Sequence, residues 1–378
     1  MSHVIYADNA ATTKLDMDAF EAMRPYLLDQ YANASQPYSF ARQAKKALQE
    51  SRDQIAACIN ADPDEIYFTS GGTESDNWAI KGSIKRGDPF AVITSEFEHH
   101  AILRACARIE ALGYPVTYLH PNRDGFITPD NLEAAISDHI KLVSIMLVNN
   151  EIGTIQPIKE LCNIAHKHGA IFHSDGVQAF GHIPVDVKAL DVDMMSCSAH
   201  KFNGPKGIGF LFIKKGTNIS AYADGGTQEF GLRAGTENVA AIVGMSAALR
   251  NNVAHLDDYQ SRILSVEQAL IDRLNSARIN YRRNGAEPRV PGNISLSFPN
   301  LDGEAVLHRL DLMGIMVSTG SACDSKSTHI SHVLHAIDVD ELYAKGTIRI
   351  SLGKDNTMDE AEKVAGAIIR IASKNGRV

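Results

Sequence analysis

Apolar residues come mostly in short unbroken runs rather than in strict alternation. Glu65–Ser70 (EIYFTS), Phe90–Thr94 (FAVIT), Leu142–Val148 (LVSIMLV), Ala170–His173 (AIFH) and Met194–Ser198 (MMSCS) are each bounded by polar or glycine-containing turns, with room for a helix between them. Strands apolar on both faces and joined by helical crossovers predict a parallel sheet covered on both sides, hence an α/β fold. Asn238 to Ile279 reads as mostly helical, without proline or glycine clusters. Beyond Pro291, strands are predicted at Asn293–Phe298, Ile315–Ser318 and Thr347–Leu352, with helices at Gly303–Leu312, Ile330–Ile337 and Asp359–Ser373. The long helical stretch therefore reads as a bridge to a second, smaller domain.

Composition narrows the function classes. With 37 Lys+Arg against 45 Asp+Glu, the net charge of −8 argues against a nucleic-acid partner, which asks for a basic face. The 44% hydrophobic and 22% charged content excludes disordered, collagen-like and coiled-coil classes. Met1–Ala10 has no basic segment leading into an apolar core, so no secretory signal is expected. Apolar runs such as Ile145–Val148 fall far short of the roughly 18 residues of a membrane span. The cysteines Cys58, Cys106, Cys162, Cys197 and Cys323 are odd in number and scattered, with no Cys-x-x-Cys pair. They read as reduced thiols in a cytoplasmic protein. His329, His332 and His335 fall at i, i+3 and i+6, where only neighbours share a helical face, and no carboxylate completes a metal site, so none is expected.

Polar clusters fall where predicted strands end, the place where open α/β sheets bind ligands. Ser70-Gly71-Gly72-Thr73-Glu74 joins a strand to a helix and suits an anion: glycines admit its approach, the helix N-terminus favours it and Thr73 adds a hydroxyl. His173-Ser174-Asp175-Gly176-Val177-Gln178 and Ser198-Ala199-His200-Lys201 come at the ends of two further strands. A partly desolvated lysine can serve as a Schiff-base nucleophile. A lysine for an aldehyde, a carboxylate for a pyridine nitrogen and an anion cradle are together what pyridoxal phosphate requires. Asp175 precedes Lys201 by 201 − 175 = 26 residues, enough for a helix and a return strand. Asn149-Asn150-Glu151 offers amides for the ring oxygen, and His99 a ring that can stack on the cofactor.

Asp8–Thr13 (DNAATT), Thr69–Asn77 (TSGGTESDN), Glu98-His99, Val148–Gly153 (VNNEIG), Ser198–Lys201 (SAHK), Gly204–Gly209 (GPKGIG) and Ser321-Ala322-Cys323 occur in one order along nearly the whole chain, from about Tyr6 to Gly353. In this the sequence resembles the cysteine desulfurases of the NifS/IscS type, pyridoxal-phosphate enzymes of fold-type I in the class V aminotransferase superfamily. The resemblance implies a large domain, residues 15–255, with a mostly parallel seven-stranded sheet. It also implies a smaller α+β domain, residues 1–14 and 256–378, carrying the Cys323 loop. It makes Lys201 the Schiff-base lysine, Asp175 the pyridinium partner and His99 the stacked acid/base. Gly72, Thr73, Ser198 and His200 would cradle the phosphate, while Gln178 and Asn150 would address the phenolic oxygen. Thr236 would reach the phosphate of a neighbouring subunit, implying a homodimer. Arg349, helped by Asn150, would grip the carboxylate of L-cysteine. In Thr347–Leu352, Arg349 shares a face with Thr347 and Ser351, and its planar fork suits a carboxylate.

Cys323 lies in Ser318–Thr328 (STGSACDSKST), a small, polar stretch expected to be exposed and mobile. Its thiolate would take the substrate sulfur as a persulfide, leaving L-alanine, and a nearby base or positive charge such as His329 or Lys326 would lower its pKa. The sulfur would pass to an acceptor protein, an iron–sulfur scaffold or a tRNA-thiolation enzyme. A selenocysteine lyase or class V aminotransferase on the same fold is the alternative enzyme, and a sulfur-transfer or regulatory binding protein the alternative class. The sequence departs from the family at Tyr38, where a histidine is usual, and at Gln228-Glu229-Phe230-Gly231, where Phe230 replaces an arginine. The chain ends at Val378, before the tail by which some relatives dock the scaffold, so weak scaffold binding by that route is expected.

Overall fold

The structure, a computed structural model, describes residues 4–84, 90–319 and 330–375. Cys323, Lys326 and His329 lie outside the described residues. The strands, in chain order, are β1 (Ile5–Tyr6), β2 (Ile66–Thr69), β3 (Ala91–Ser95), β4 (Val116–Leu119), β5 (Ile140–Ser144), β6 (Ile171–Asp175), β7 (Met194–Ser198), β8 (Gly209–Ile213), β9 (Arg282–Arg283), β10 (Asn293–Ser297), β11 (Ile315–Met316) and β12 (Thr347–Ser351).

Seven of them form one sheet in the order β2-β8-β7-β6-β5-β3-β4. Its pairings are parallel from β4 through β7, while β8 runs antiparallel to both β7 and β2. Successive side chains of each strand enter different cores. Ile93, Val143, Phe172 and Met195 pack on one face, and their neighbours Val92, Leu142 and Met194 on the other. Burial on both faces is why these strands read as unbroken apolar runs. A separate antiparallel sheet, β12-β10-β9, sets Ile294, Leu296, Ile348 and Ile350 against the helices Leu256–Ser276 and Met358–Asn375. Two-residue strands β1 and β11 pair in parallel beside it.

Several elements differ from the sequence expectation. The run Leu142–Val148 leaves the sheet after Ser144, although the Ile145 and Leu147 amides still donate to the carbonyls of His173 and Asp175. Strand β6 continues through Asp175, so Ser174 and Asp175 lie on the strand rather than after it. The helical stretch breaks at His255 into Val239–Ala254 and Leu256–Ser276. The face of β12 that bears Arg349 is buried like its apolar face, with Arg349 donating to Asp8 and the Asn150 carbonyl and Thr347 bonded to Ser297.

The Phe230 departure has a structural account. Arg52 is buried and pairs with Glu229 at 2.7 and 3.0 Å, donates to the Ile66 carbonyl, and lies under Phe68 and Phe230, 4.4 and 5.2 Å from their ring centroids. The aromatic ring thus shields a buried cation through its π face.

Candidate active site

The carboxyl ends of β3, β5, β6 and β7 lie side by side, and the segments leaving them converge on one cavity of about 340 Å³. It is lined by Gly72, Thr73, Asp76, His99, Asn150, Asp175, Gln178, Ser198, His200, Lys201 and Arg349, together with Ala10, Ala11, Met146 and Val177. All of the first group except Asp76 are site residues that the sequence predicts. Thr236 is exposed and does not line the cavity.

Lys201 sits on a 3-10 turn directly after β7, and its Nζ donates to the carbonyls of Ala10 at 2.6 Å and Ala11 at 3.0 Å. Gln178 donates to the same Ala10 carbonyl at 3.0 Å. Asp175, 5% exposed, accepts the Val177 amide at 2.9 Å. Burial pushes its carboxyl up to about 6, opposed by that amide and by Lys201. His99 caps the helix His100–Glu110, its Nδ1 accepting the Ala101 amide at 3.2 Å. Burial and the Lys201 charge push His99 down to about 4. It is therefore neutral at pH 7, and the Nδ1 contact leaves the ring proton on Nε2.

At the other end of the cavity, Gly71 and Gly72 open the helix Gly72–Gly82. Gly71 has φ +142°, and a Cβ on Gly72 would lie 2.7 Å from Val177 Cγ2, so neither position admits a larger residue without displacement. Ser198, Thr73 and His200 complete this end, with His200 Nδ1 3.1 Å from the Thr12 hydroxyl. A second cavity of about 310 Å³ opens beside it and shares Gly72, Thr73, Ser198 and His200.

The sequence offers Asn149 and Asn150 together, and the structure separates them. Asn149 is buried and builds the turn, its amide donating to Phe97 O at 3.0 Å and its oxygen accepting the Glu151 and Ile152 amides. Asn150 alone lines the cavity. Arg349, 3% exposed, donates to Asp8 at 2.7 Å and to the Asn150 carbonyl at 2.9 Å, while its buried Nε has no partner among the described residues. The two ends of the segment bearing Cys323 are fastened nearby: Ser318 pairs with the Arg349 backbone, and Ser331 donates to Glu151 at 2.6 Å. His332, weighed in the sequence only as one of three spaced histidines, donates from Nε2 to Glu98 O at 2.9 Å and packs on His100.

Asp76 and Asp8 are the site residues that sequence reasoning misses. A signal for Asp76 is present: the helix buries Gly72, Ser75, Asp76, Ala79 and Ile80, spaced i, i+3, i+4, i+7 and i+8, so a carboxyl stands in the core-facing stripe. Asp8 sits in the DNAATT run, whose carbonyls and side chains reach Lys201, Gln178, His200 and Arg349.

The residues fit pyridoxal phosphate. A buried carboxyl group, an amine at a strand end and a glycine cradle too tight for a Cβ stand around one cavity of suitable size. The metal alternative involves Asp76, His99 and Asp175, whose ligating atoms lie within 4.8 Å of one another. Lys201 stands at the same cavity, and its ammonium disfavours a cation there.

Comparison with known proteins agrees. A sequence profile of the Aminotransferase class-V family matches residues 5–364. The cysteine desulfurase IscS of Dictyoglomus turgidum is 45% identical over 99% of this chain and 96% of its own. Among solved structures, a NifS-like protein superposes with a TM-score of 0.92 at 34% identity, covering 98% of this chain and 100% of that one. A structure described as SspA in complex with cysteine gives 0.83 at 35% identity, covering 93% of this chain and 100% of that one.

Proposed function

The chain belongs to the Aminotransferase class-V family and within it to the cysteine desulfurases, pyridoxal-phosphate enzymes, and on that premise we propose how its own residues convert L-cysteine to L-alanine. The observation that carries the proposal is the meeting of Lys201, Asp175, His99 and Arg349 at one cavity. Bound there, the cofactor supplies an electron sink that stabilises negative charge on the substrate carbon.

Lys201 offers the amine that anchors the aldehyde. Its two backbone acceptors, Ala10 O and Ala11 O, hold that amine in place. Asp175 would face the ring nitrogen with a negative charge, and Gly72, Thr73, Ser198 and His200 would hold the phosphate through the helix N-terminus and side-chain donors. Gln178 and Asn150 would address the phenolic oxygen. His99 holds a proton on Nε2 and offers it as a hydrogen-bond donor at that atom. The Cys323 thiolate attacks the substrate sulfur: the carbon–sulfur bond breaks, a sulfur–sulfur bond forms on Cys323, and a proton replaces sulfur on the substrate carbon. No external oxidant is needed, because L-cysteine plus the thiol equals L-alanine plus the persulfide.

Arg349 binds the substrate carboxylate. Asp8 and the Asn150 carbonyl fix its guanidinium, and the unpartnered Nε marks an edge still available to an oxygen ligand. Arg349→Lys keeps the charge beside Asp8 but loses the planar fork. It is expected to raise the KM for L-cysteine about ten- to a hundredfold while leaving the absorbance of bound cofactor unchanged. Steady-state kinetics with a spectrum of each preparation checks this, and an unchanged KM removes Arg349 from substrate binding.

Thr236, exposed and outside the cavity, serves a second copy of the chain, so the enzyme works as a homodimer. The division into residues 15–255 and 1–14 with 256–378 is part of the same proposal. Among the described residues no helix is long and apolar enough to cross a membrane, and we place the enzyme in the cytoplasm. A protein acceptor receives the sulfur, within iron–sulfur cluster assembly or thiolation. With L-cysteine and dithiothreitol, the purified enzyme is expected to release alanine and sulfide in equal amounts. A keto acid in place of alanine would instead mark an aminotransferase.

A further inference from the structure

Beneath the cavity lies a buried polar row that the reaction has not used. Ser144, His173 and Ser196 stand on neighbouring strands β5, β6 and β7, with His173 Nδ1 2.9 Å from the Ser144 hydroxyl and its Nε2 2.9 Å from the Ser196 hydroxyl. Asp76 caps this row. It is 1% exposed, receives a hydrogen bond from Ser196, and has its Oδ1 3.8 Å from His173 Nε2 with no hydrogen-bond partner of its own among the described residues. Its carboxyl also lies within 4.8 Å of Asp175 and His99.

Two buried carboxyl groups this close cannot both ionise without a cation between them, so one proton belongs to the pair. The surroundings decide which group takes it. Asp175 has the Val177 amide and the Lys201 charge to support an anion. Asp76 has neither; beyond what burial does, Asp175 pushes its carboxyl toward the neutral form, opposed by the hydrogen bond from Ser196. The histidines that face it, His173 and His99, are held neutral by burial.

We propose that Asp76 is a positioning residue for the cofactor: it keeps the proton of the Asp76–Asp175 pair, so that Asp175 alone turns negative charge to the ring nitrogen. The inference rests on the assignment of Asp175 to that nitrogen.

Asp76→Asn preserves shape and neutrality and is the informative variant. An infrared difference spectrum of holoenzyme, wild type minus Asp76→Asn at pH 7, is expected to show the carbonyl stretch of one protonated carboxyl lost in the variant. Cofactor affinity, measured by titrating pyridoxal phosphate into the apoenzyme, is expected to stay within about threefold of wild type in Asp76→Asn and to fall at least about tenfold in Asp175→Asn. Absence of the protonated band, or a loss in Asp76→Asn equal to that in Asp175→Asn, overturns the inference while leaving Asp175 in its role. Wild-type affinity in Asp175→Asn overturns the assignment beneath it. Should Asp76→Asn not fold, carbon-13 labelling of aspartate in the wild-type enzyme reads the same band by its isotope shift. A labelled enzyme without that band overturns the proposal equally.

Discussion

Replacing Lys201 with alanine is expected to abolish the yellow absorbance of tightly held cofactor and to lower alanine formation at least about a thousandfold. The size reflects what is lost together. The amine is the group that fixes the aldehyde, and it is held by two carbonyls of the N-terminal segment, Ala10 and Ala11, at 2.6 and 3.0 Å. Asp175 would lose the cation that opposes its burial, so its charge beside the ring nitrogen would weaken as well. Absorbance after dialysis, with alanine measured from L-cysteine, checks both effects. A variant that keeps the wild-type spectrum would show that another amine anchors the aldehyde. The turn itself should survive, because Phe202 still donates to Ala199 and the neighbouring Asn203 amide still donates to the Thr13 hydroxyl.

Cys323→Ala is the second large effect, and it separates the sulfur step from cofactor binding. The variant is expected to keep the cofactor absorbance of wild type, form no enzyme-bound persulfide, and make alanine at least about a hundredfold more slowly. The attachment points of its segment support the role. Ser318 lies on the Arg349 backbone, and Cys323 is 323 − 318 = 5 residues further along. A tether of that length spans at most roughly 17 Å. The other cysteines are poor substitutes: burial pushes Cys58 up, Cys106 and Cys162 up to about 12, and burial with the Asp175 charge pushes Cys197 well up. Labelling of persulfide after exposure to L-cysteine decides the matter. Undiminished sulfide release from Cys323→Ala would exclude the thiol from the reaction.

Most of the sheet is legible in the sequence because burial on both faces writes itself as continuous apolar runs, as in Met194–Ser198. Strand β8 is not, since its run Gly209–Ile213 comes directly after the loop and runs back antiparallel, with no helix between to announce it. Leu142–Val148 reads as too long a strand because the residues after Ser144 stay buried off the sheet, and burial alone does not distinguish the two. The cofactor residues are legible as polar groups at strand ends. Asp76 is not, since a carboxylate in a helix is ordinarily solvated and only its place in the buried stripe marks it. The partner of Arg349 lies 341 residues away at Asp8, a separation that no local pattern carries.

That last separation has a consequence for how the enzyme comes into being on the ribosome. Gly72, His99, Asp175 and Lys201 all emerge before strand β8, and the Ala10 carbonyl that steadies Lys201 emerges first of all. Arg349 arrives nearly at the end of synthesis, and only then is Asp8 given its counter-charge. The nascent chain therefore gains the groups proposed to hold the cofactor well before the one proposed to grip the amino acid, and contacts of such range form late in folding.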